Sequence, residues 1–376
     1  MTKQTTDAPQ VLVGMSGGVD SSAAALLLLQ SDWRCAGVTL RLFTGEDEVP
    51  DGARTCCSLA DVEDARAVAR RLGFRHYVFN FSELFERTVI EPFVRGYCAG
   101  ETPNPCTDCN RYIKFSALYQ RAQLMGCTHI ATGHYARVTP AANGHVLLQT
   151  ARDAAKDQSY LLCGVPREAL AHTLFPLGEL TKPEVRALAE ENGLCNAHKR
   201  DSQEICFVPD GDYAGFIERR TGTVCPPGVI LDTAGRAVGQ HAGYLRYTPG
   251  QRRGLGIAAP RPLYVCGIDA AANTVIVGEK ESLYTDTVFA GTLNWLACDG
   301  LGGAPVHLQA KVRYRQPAQP CTAWQTGPDT LCVRFDTPQR APAPGQTLAL
   351  YDGDTVVGGG ILRAPGNMPQ AQQTTR

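Results

Sequence analysis

The apolar run Val11-Leu12-Val13-Gly14-Met15 leads directly into Ser16-Gly17-Gly18-Val19-Asp20-Ser21-Ser22 and then into the alanine- and leucine-rich stretch ending at Gln30. A strand that turns through glycines into a helix leaves backbone N–H groups uncommitted at the positive end of the helix dipole, so the turn is built to hold an anion. Ser16, Ser21 and Ser22 add hydroxyl donors, and Asp20 suits Mg²⁺ or orientation of the turn. No Gly-Lys-Ser/Thr occurs anywhere in the chain, which argues against P-loop kinase or GTPase chemistry.

Around this turn, residues 11–135 alternate short apolar runs with amphipathic stretches, which predicts a doubly wound parallel sheet flanked by helices, an α/β fold. Strands are expected at Val11 to Met15, Val38 to Phe43, His76 to Phe79 and His129 to Thr132. Helices are expected at Ser21 to Gln30, from an N-cap at Ser58 to Leu72 with Gly73 as its stop, at Leu84 to Tyr97 and at Ile113 to Met125. Asn143-Gly144 marks a hairpin within Arg137 to Thr150. Thr181-Lys182-Pro183-Glu184 opens a further helix with a capping box, and Gly193 follows its end. Beyond Pro209 the composition shifts to Gly, Pro, Thr and Val, with short strands at Val229 to Leu231, Leu263 to Ile268 and Thr274 to Val277. After about Lys280 regular runs at Val306 to Tyr314, Thr330 to Phe335, Thr347 to Tyr351 and Val356 to Leu362 predict a closed β-barrel. The expected domains are therefore 1–208, α/β and catalytic; 209–279, small and β-rich; 280–365, a barrel; and 366–376, a polar frayed tail.

With 44% hydrophobic and 19% charged residues, the chain is globular rather than disordered. Its net charge of −1 excludes a globally basic nucleic-acid binder, so any RNA contact must come from local clusters; residues 301–376 are net basic and the remainder net acidic. Fifteen cysteines are many, but the number is odd and the opening residues lack a basic-then-apolar signal. No apolar run reaches the roughly 18 residues of a membrane span. A reducing cytoplasm is the expected setting, where clustered thiols serve metal binding or redox chemistry.

Two cysteine segments stand out. Thr102-Pro103-Asn104-Pro105-Cys106-Thr107-Asp108-Cys109-Asn110-Arg111 joins a proline-stiffened loop to a helix, and Cys109, just ahead of the expected helix start and near Arg111 and Lys114, is biased towards thiolate. Asp201-Ser202-Gln203-Glu204-Ile205-Cys206-Phe207 supplies a second thiol.

The Ser-Gly-Gly-Val-Asp-Ser string matches the signature of the PP-loop ATP pyrophosphatases, which cleave ATP between the α- and β-phosphates and form adenylates. Together with the two cysteine segments, Thr132-Gly133-His134-Tyr135-Ala136, Lys156-Asp157-Gln158-Ser159-Tyr160, Gly250 to Gly256, Arg313 to Gln316 and Pro344-Gly345-Gln346, the chain from about Val11 to Leu362 resembles the tRNA-specific 2-thiouridylases. The resemblance implies a tRNA sulfurtransferase that binds ATP and Mg²⁺ and thiolates the wobble uridine, fed by a cysteine desulfurase or sulfur-relay protein. It assigns ATP to Gly14, Met15, Ser16, Gly17, Gly18, Val19, Asp20, Ser21, Leu40 and Gly133. Cys109 becomes the nucleophile and Cys206 the persulfide carrier, the two being able to close a disulfide. Asn104, Pro105, Cys106, His134, Lys156, Asp157, Gln158, Arg313, Tyr314 and Gln346 meet the tRNA.

One position departs from the family: many members carry aspartate where Cys106 stands, the residue assigned to the target base and to acid–base help. Asp108 is a candidate replacement. The change also creates Cys106-x-x-Cys109, which with Cys206 could ligate a [4Fe-4S] cluster as in some related RNA thiolases, an alternative to free persulfide chemistry. Cys56-Cys57 reads as a loop feature.

Other signals have plainer readings beside their functional ones. Gly254-Leu255-Gly256 with Ala259 imitates a dinucleotide fingerprint, but no strand precedes it and Arg252-Arg253 does, so it reads as a basic loop or a solvated turn. Lys311, Arg313 and Arg315 alternate along an expected strand, with Tyr314 opposite, as a phosphate ridge or an ordinary solvated face. Lys156-Asp157-Gln158 is an RNA grip or mere surface, and His134 a ligand or a buried, satisfied histidine. Two rival functions remain: an adenylate-forming synthetase acting on a small molecule, which needs neither cysteine, and a nonenzymatic RNA-binding or iron–sulfur protein.

Overall fold

A computed structural model describes residues 9–43, 59–141, 145–199 and 205–364. Ser58, Cys56-Cys57, the Asn143-Gly144 turn, Asp201 to Glu204 and the tail from Pro365 lie outside them. The chain forms two compact units, one of residues 1–89, 106–210 and 354–356, the other of 90–105, 211–353 and 357–376.

The first unit is built on parallel strands β1 (Val11–Gly14), β2 (Cys35–Arg41), β3 (His76–Asn80) and β4 (His129–Ala131), then a hairpin of β5 (Arg137–Pro140) and β6 (Val146–Gln149), then β7 (Thr173–Leu174). The five-stranded order is β3-β2-β1-β4-β7, the doubly wound arrangement the sequence predicts. Val11 and Val13 pair with Cys35 and Gly37 on one side and with His129 and Ala131 on the other. Strand β2 starts three residues earlier than its apolar pattern suggests. A Cβ on Gly37 would lie 2.6 Å from Met15 Sδ, so the glycine lets the side chain of the turn pack on the strand.

Helix α1 (Val19–Gln30) follows the glycine turn, and α2 (Leu59–Leu72) ends at Gly73 with φ +83°. Val11, Val13, Met15, Leu26, Ala65 and Val68 belong to one buried core, and Ala23, Ala24, Tyr135, Leu177 and Val185 to a second beside α1. The expected helix at Leu84 to Tyr97 is a longer composite: α-helical at Ser82–Phe85, π-helical at Glu86–Ile90, α-helical at Glu91–Cys98. A second composite runs from Pro105–Asp108 through a π segment at Cys109–Ala117 to Leu118–Leu124. Its start corrects the sequence reading: the helix begins at Pro105, not near Ile113. Proline at a first turn needs no N–H partner, so it opens the helix instead of extending the loop. Cys109 therefore lies inside a helix.

The second unit holds the antiparallel and mixed sheets. Strands β8 (Gly228–Asp232), β9 (Ala237–His241), β10 (Tyr264–Asp269) and β11 (Thr274–Gly278) order as β10-β11-β8-β9 over a core of Ile230, Val265, Val275 and Val277. Strands β12 (Tyr284–Trp295), β13 (Val306–Lys311), β14 (Gln319–Gly327), β15 (Thr330–Arg340), β16 (Thr347–Asp352) and β17 (Thr355–Leu362) follow in the order β12-β15-β14-β13-β16-β17, and β17 pairs back onto β12 to close the barrel. The expected cationic ridge does not form, because β13 ends at Lys311 and residues 312–316 turn. From that turn region Arg313 reaches away, its Nη2 donating to the Ala341 carbonyl at 2.6 Å.

Candidate active site

The site begins at the C-terminal end of β1, where ligands collect in open parallel sheets. Gly17 adopts φ +70°, and a Cβ on it would fall 2.4 Å from the Asp61 carbonyl oxygen of α2, so only glycine permits this turn. The Ser21 hydroxyl accepts from Ser16 N–H at 3.2 Å and donates to the Gly18 carbonyl at 3.0 Å, folding the turn over the first turn of α1. Met15, Val19 and Ser21 are buried, while Ser16 is exposed. Leu40 sits half-buried on β2 opposite Phe79.

Four side chains that the sequence reading does not single out lock this turn. Lys182, 7% exposed, places Nζ 2.7 Å from both carboxylate oxygens of Asp20. The Tyr135 hydroxyl donates to the same Asp20 Oδ1 at 2.8 Å. On the far side Asn196 Nδ2 donates to Gly17 O at 2.9 Å and Ser22 Oγ at 2.8 Å, and Lys199 Nζ reaches Gly17 O, Asp61 and Asp64 at 3.3, 2.7 and 2.6 Å. Tyr135 lies inside the Thr132-Gly133-His134-Tyr135-Ala136 motif and Lys182 inside a capping signal, so each has a competing explanation. Asn196 and Lys199 carried no pattern at all.

Gly133 abuts the turn: a Cβ there would sit 2.6 Å from the Ser21 nitrogen. The next residue, His134, packs its ring 5.6 Å from Phe115 and 6.3 Å from Phe175, with Nδ1 2.8 Å from Thr132 Oγ1. Burial, aided by Lys114, holds its pKa well below the ordinary imidazole value, so it is neutral. Phe115 belongs to the same π segment as Cys109, which is buried. Asn110, beside Cys109, donates to Leu161 O at 3.0 Å. Cys206 lies half-buried in a turn closed by Val208 N–H to Ile205 O, and its neighbour Phe207 meets Phe85 edge-on at 5.8 Å. The helix Ser82–Phe85 in turn packs on the Cys109 segment. Gly133, His134 and Phe115 thus link the turn to the Cys109 segment, and the helix Ser82–Phe85 links that segment to the Cys206 turn.

The cysteines do not fit a cluster. Cys106 is exposed while Cys109 is buried, and among the described residues no three His, Cys, Asp or Glu side chains are grouped to hold a metal. Asp108 is largely buried next to Cys109, and its pKa is pushed up to about 6 by desolvation, against a smaller opposing pull from Arg111.

Asp157 and Gln158 are structural, not loose surface. Asp157 Oδ1 accepts from Ala151 N–H at 3.1 Å and Ser159 N–H at 3.2 Å, and Gln158 Oε1 accepts from Tyr135 N–H at 2.9 Å. Lys156 between them and the loop is half-buried. In the second unit Gln346 Nε2 donates to Thr102 O at 2.5 Å, which fixes the segment carrying Asn104 and Pro105. Arg313 and half-buried Tyr314 lie at the barrel turn, and Arg252 and Arg253 are exposed in the irregular loop before buried Leu255. Among the described residues no helix is long and apolar enough to cross a membrane.

A parallel sheet whose first strand delivers a Ser-Gly-Gly-x-Asp-Ser turn to a helix N-terminus defines a PP-loop-type α/β domain, here joined to a closed β-barrel. Three family models match the chain: the tRNA methyl transferase HUP domain at residues 9–210, the tRNA methyl transferase PRC-barrel domain at 214–279 and the aminomethyltransferase beta-barrel domain at 285–362. A tRNA-specific 2-thiouridylase MnmA from Symbiobacterium thermophilum is 49% identical over 362 residues, covering 94% of this chain and 92% of the relative. That of Moorella thermoacetica is 48% identical over 354 residues, covering 94% and 99%. The chain belongs to the tRNA-specific 2-thiouridylase family.

Proposed function

We propose that this protein uses ATP to activate the C2 oxygen of a tRNA wobble uridine and replaces that oxygen with sulfur. The observation that carries the proposal is the position of Gly133-His134: its glycine touches the phosphate turn and its histidine touches the helix of Cys109. One small surface can therefore present a base first to a nucleotide and then to a thiol.

The uridine oxygen attacks the α-phosphorus held by Gly14 to Ser21, Leu40 and Gly133, and pyrophosphate leaves. Oxide is a poor leaving group and AMP a good one, which is what the ATP supplies. A persulfide on Cys206, loaded by a cysteine desulfurase or sulfur-relay protein, attacks C2 through its terminal sulfur and expels AMP. The Cys109 thiolate then attacks the Cys206 sulfur of the resulting linkage, releasing the 2-thiouridine and leaving a Cys109–Cys206 disulfide for an external dithiol to reduce. The alternative in which Cys109 first frees hydrosulfide uses the same two thiols. The persulfide route suits a buried Cys109 and an exposed Cys106 better than a cluster does. A reducing cytoplasm suits it as well.

Contact with RNA is proposed for Asn104, Pro105, Cys106, His134, Lys156, Arg313, Tyr314 and Gln346. Asp157 and Gln158 serve that contact by shaping the Lys156 turn, since their side chains already have partners. The test is thionucleoside analysis of tRNA treated with ATP and a persulfide donor. Cys109→Ser and Cys206→Ser should each abolish 2-thiouridine while leaving ATP binding in place. An adenylate-forming synthetase acting on a small molecule would keep its activity in both variants, and a nonenzymatic binder would release no pyrophosphate in any of them.

A further inference from the structure

We propose that His129 and His172 form a two-histidine site for a late first-row divalent cation, of which Ni²⁺ is the probe, at the end of the parallel sheet remote from the phosphate turn. The two residues are neighbours across β4 and β7: Ile130 pairs with Thr173, and Ile130 N–H donates to the His172 carbonyl at 2.8 Å. Their rings, both half-buried, lie 5.9 Å apart between centroids with their planes at 58°. Val11 pairs with His129 where β1 begins, whereas the turn leaves β1 after Gly14, so the site stands independently of the thiolation chemistry.

One residue orients both rings. His172 Nδ1 lies 3.1 Å from the Thr128 carbonyl oxygen, which can only accept, so Nδ1 carries the proton and Nε2 keeps its lone pair. His129 Nδ1 lies 2.9 Å from Thr128 Oγ1, and that hydroxyl has a further acceptor in the Gln10 carbonyl at 3.2 Å, so its oxygen is able to take the His129 Nδ1–H. This is the arrangement that presents histidines to metals: one ring N–H donates to a fixed oxygen and the other nitrogen is left for the ion. With both Nδ1 atoms turned to Thr128, both Nε2 lone pairs leave the rings on the side away from it. Trp33, edge-on to His129 at 5.2 Å, and Tyr119, stacked on His172 at 4.8 Å, wall the pair and hold its rings in place.

Spacing and charge both suit an ion. One held about 2.0–2.1 Å from each Nε2 in tetrahedral coordination sets the two ring centroids about 5.2 Å apart. Rings at 5.9 Å reach that by closing about 0.7 Å, a small side-chain movement. Imidazole nitrogen is a ligand for nickel, copper and zinc, whereas magnesium and calcium take oxygen, so the class of ion follows from the donors. Burial, followed by the neighbouring His172, lowers the His129 pKa below the ordinary imidazole value, so protons do not compete for its lone pair at neutral pH. Water fills the remaining positions of the ion. Bound there, the ion ties the two-residue edge strand β7 to β4.

Titration of the full chain with nickel chloride, its thiols kept reduced by a phosphine, tests this by calorimetry and thermal melting. The unaltered protein should bind Ni²⁺ and melt at a higher temperature with it. His129→Gln and His172→Gln should each weaken that binding by roughly tenfold or more, and His198→Gln, which removes an exposed ring beside Glu190, should leave it within about twofold. Should either ligand variant fail to fold, imidazole nitrogen NMR on the unaltered protein decides: Ni²⁺ below one equivalent should broaden the His129 and His172 signals ahead of those of the other histidines. Equal Ni²⁺ affinity in the folded variants, or broadening led by another histidine, overturns the site.

Discussion

A methyl group on Gly133 would lie 2.6 Å from the Ser21 backbone nitrogen and 2.6 Å from the Asp20 carbonyl carbon, well inside van der Waals contact. Both neighbours are backbone at the start of α1 and cannot swing aside. Gly133→Ala must therefore push the strand end and the phosphate turn apart. The expected outcome is a folded protein whose ATP affinity falls by roughly tenfold or more, since a shift of an ångström at such a site suffices for that. Calorimetry with ATP, beside a thermal melt, checks it; unaltered affinity would mean that the turn does not hold the nucleotide.

Removing Lys199 should be costly for a different reason. Its ammonium sits between Asp61, largely buried, and Asp64, and it supports the Gly17 carbonyl. Although its own desolvation opposes charge, the two carboxylates outweigh this and raise its pKa. Lys199→Met leaves Asp61 with its charge poorly compensated, a loss of about 1–3 kcal/mol in unfolding free energy. Restoring neutrality with Asp61→Asn in the same chain should recover part of that loss. A double-mutant cycle in urea measures the coupling, and simple additivity would refute the pairing.

The contrast between these two positions explains what could be read from sequence. The turn, its flanking strand and α1 were legible because glycines, hydroxyls and apolar periodicity act locally, within about a dozen residues. The barrel is legible from the spacing of its short runs, yet its β12 and β14, like β9 of the four-stranded sheet, are not. Gln, Thr, Gly and Pro interrupt their apolar alternation, and only pairing with neighbours makes them strands. The π segments escaped because a widened turn shifts the apolar stripe without any compositional mark. Side chains that meet the turn from afar were illegible in principle: Asn196 and Lys199 become partners of Gly17 only through the fold. Arg313 shows the reverse case: its alternation with Lys311 and Arg315 suggests one strand face, but the strand ends at Lys311.

Acid should weaken the support beneath the turn. The Thr39 hydroxyl donates to the Met15 carbonyl at 2.7 Å, so His76 Nε2–H donates to Thr39 Oγ1 at 3.0 Å, and among the described residues its buried Nδ1 has no hydrogen-bond partner. Burial, followed by the charge of Arg66, lowers the His76 pKa to about 4, against about 6.5 in the unfolded chain. Between those values the unfolded state binds more protons, so stability drops as pH falls from about 6.5 towards 4. His76→Gln keeps a donor for Thr39 without titrating. Urea midpoints at pH 7.5 and pH 5 should converge for the variant more than for the unaltered protein.

Asp108 has the opposite dependence. Desolvation raises its pKa to about 6 from an unfolded value near 3.9, so the folded state binds the extra proton between those two values. The stabilisation from the neutral carboxyl is complete below about pH 3.9 and is lost as pH rises through 6. Asp108→Asn keeps the shape of the protonated acid and cannot ionise. It should match the unaltered protein near pH 4 and exceed it in stability at pH 8 by roughly 1–2 kcal/mol. The same carboxyl precedes Cys109 in the chain, so on the proposed mechanism its ionisation should also appear in catalysis. Single-turnover thiolation rates from pH 5 to 8 are expected to show a limb near pH 6 in the unaltered protein and none in Asp108→Asn. A limb that survives the substitution would assign that proton to another group and leave Asp108 a structural acid only.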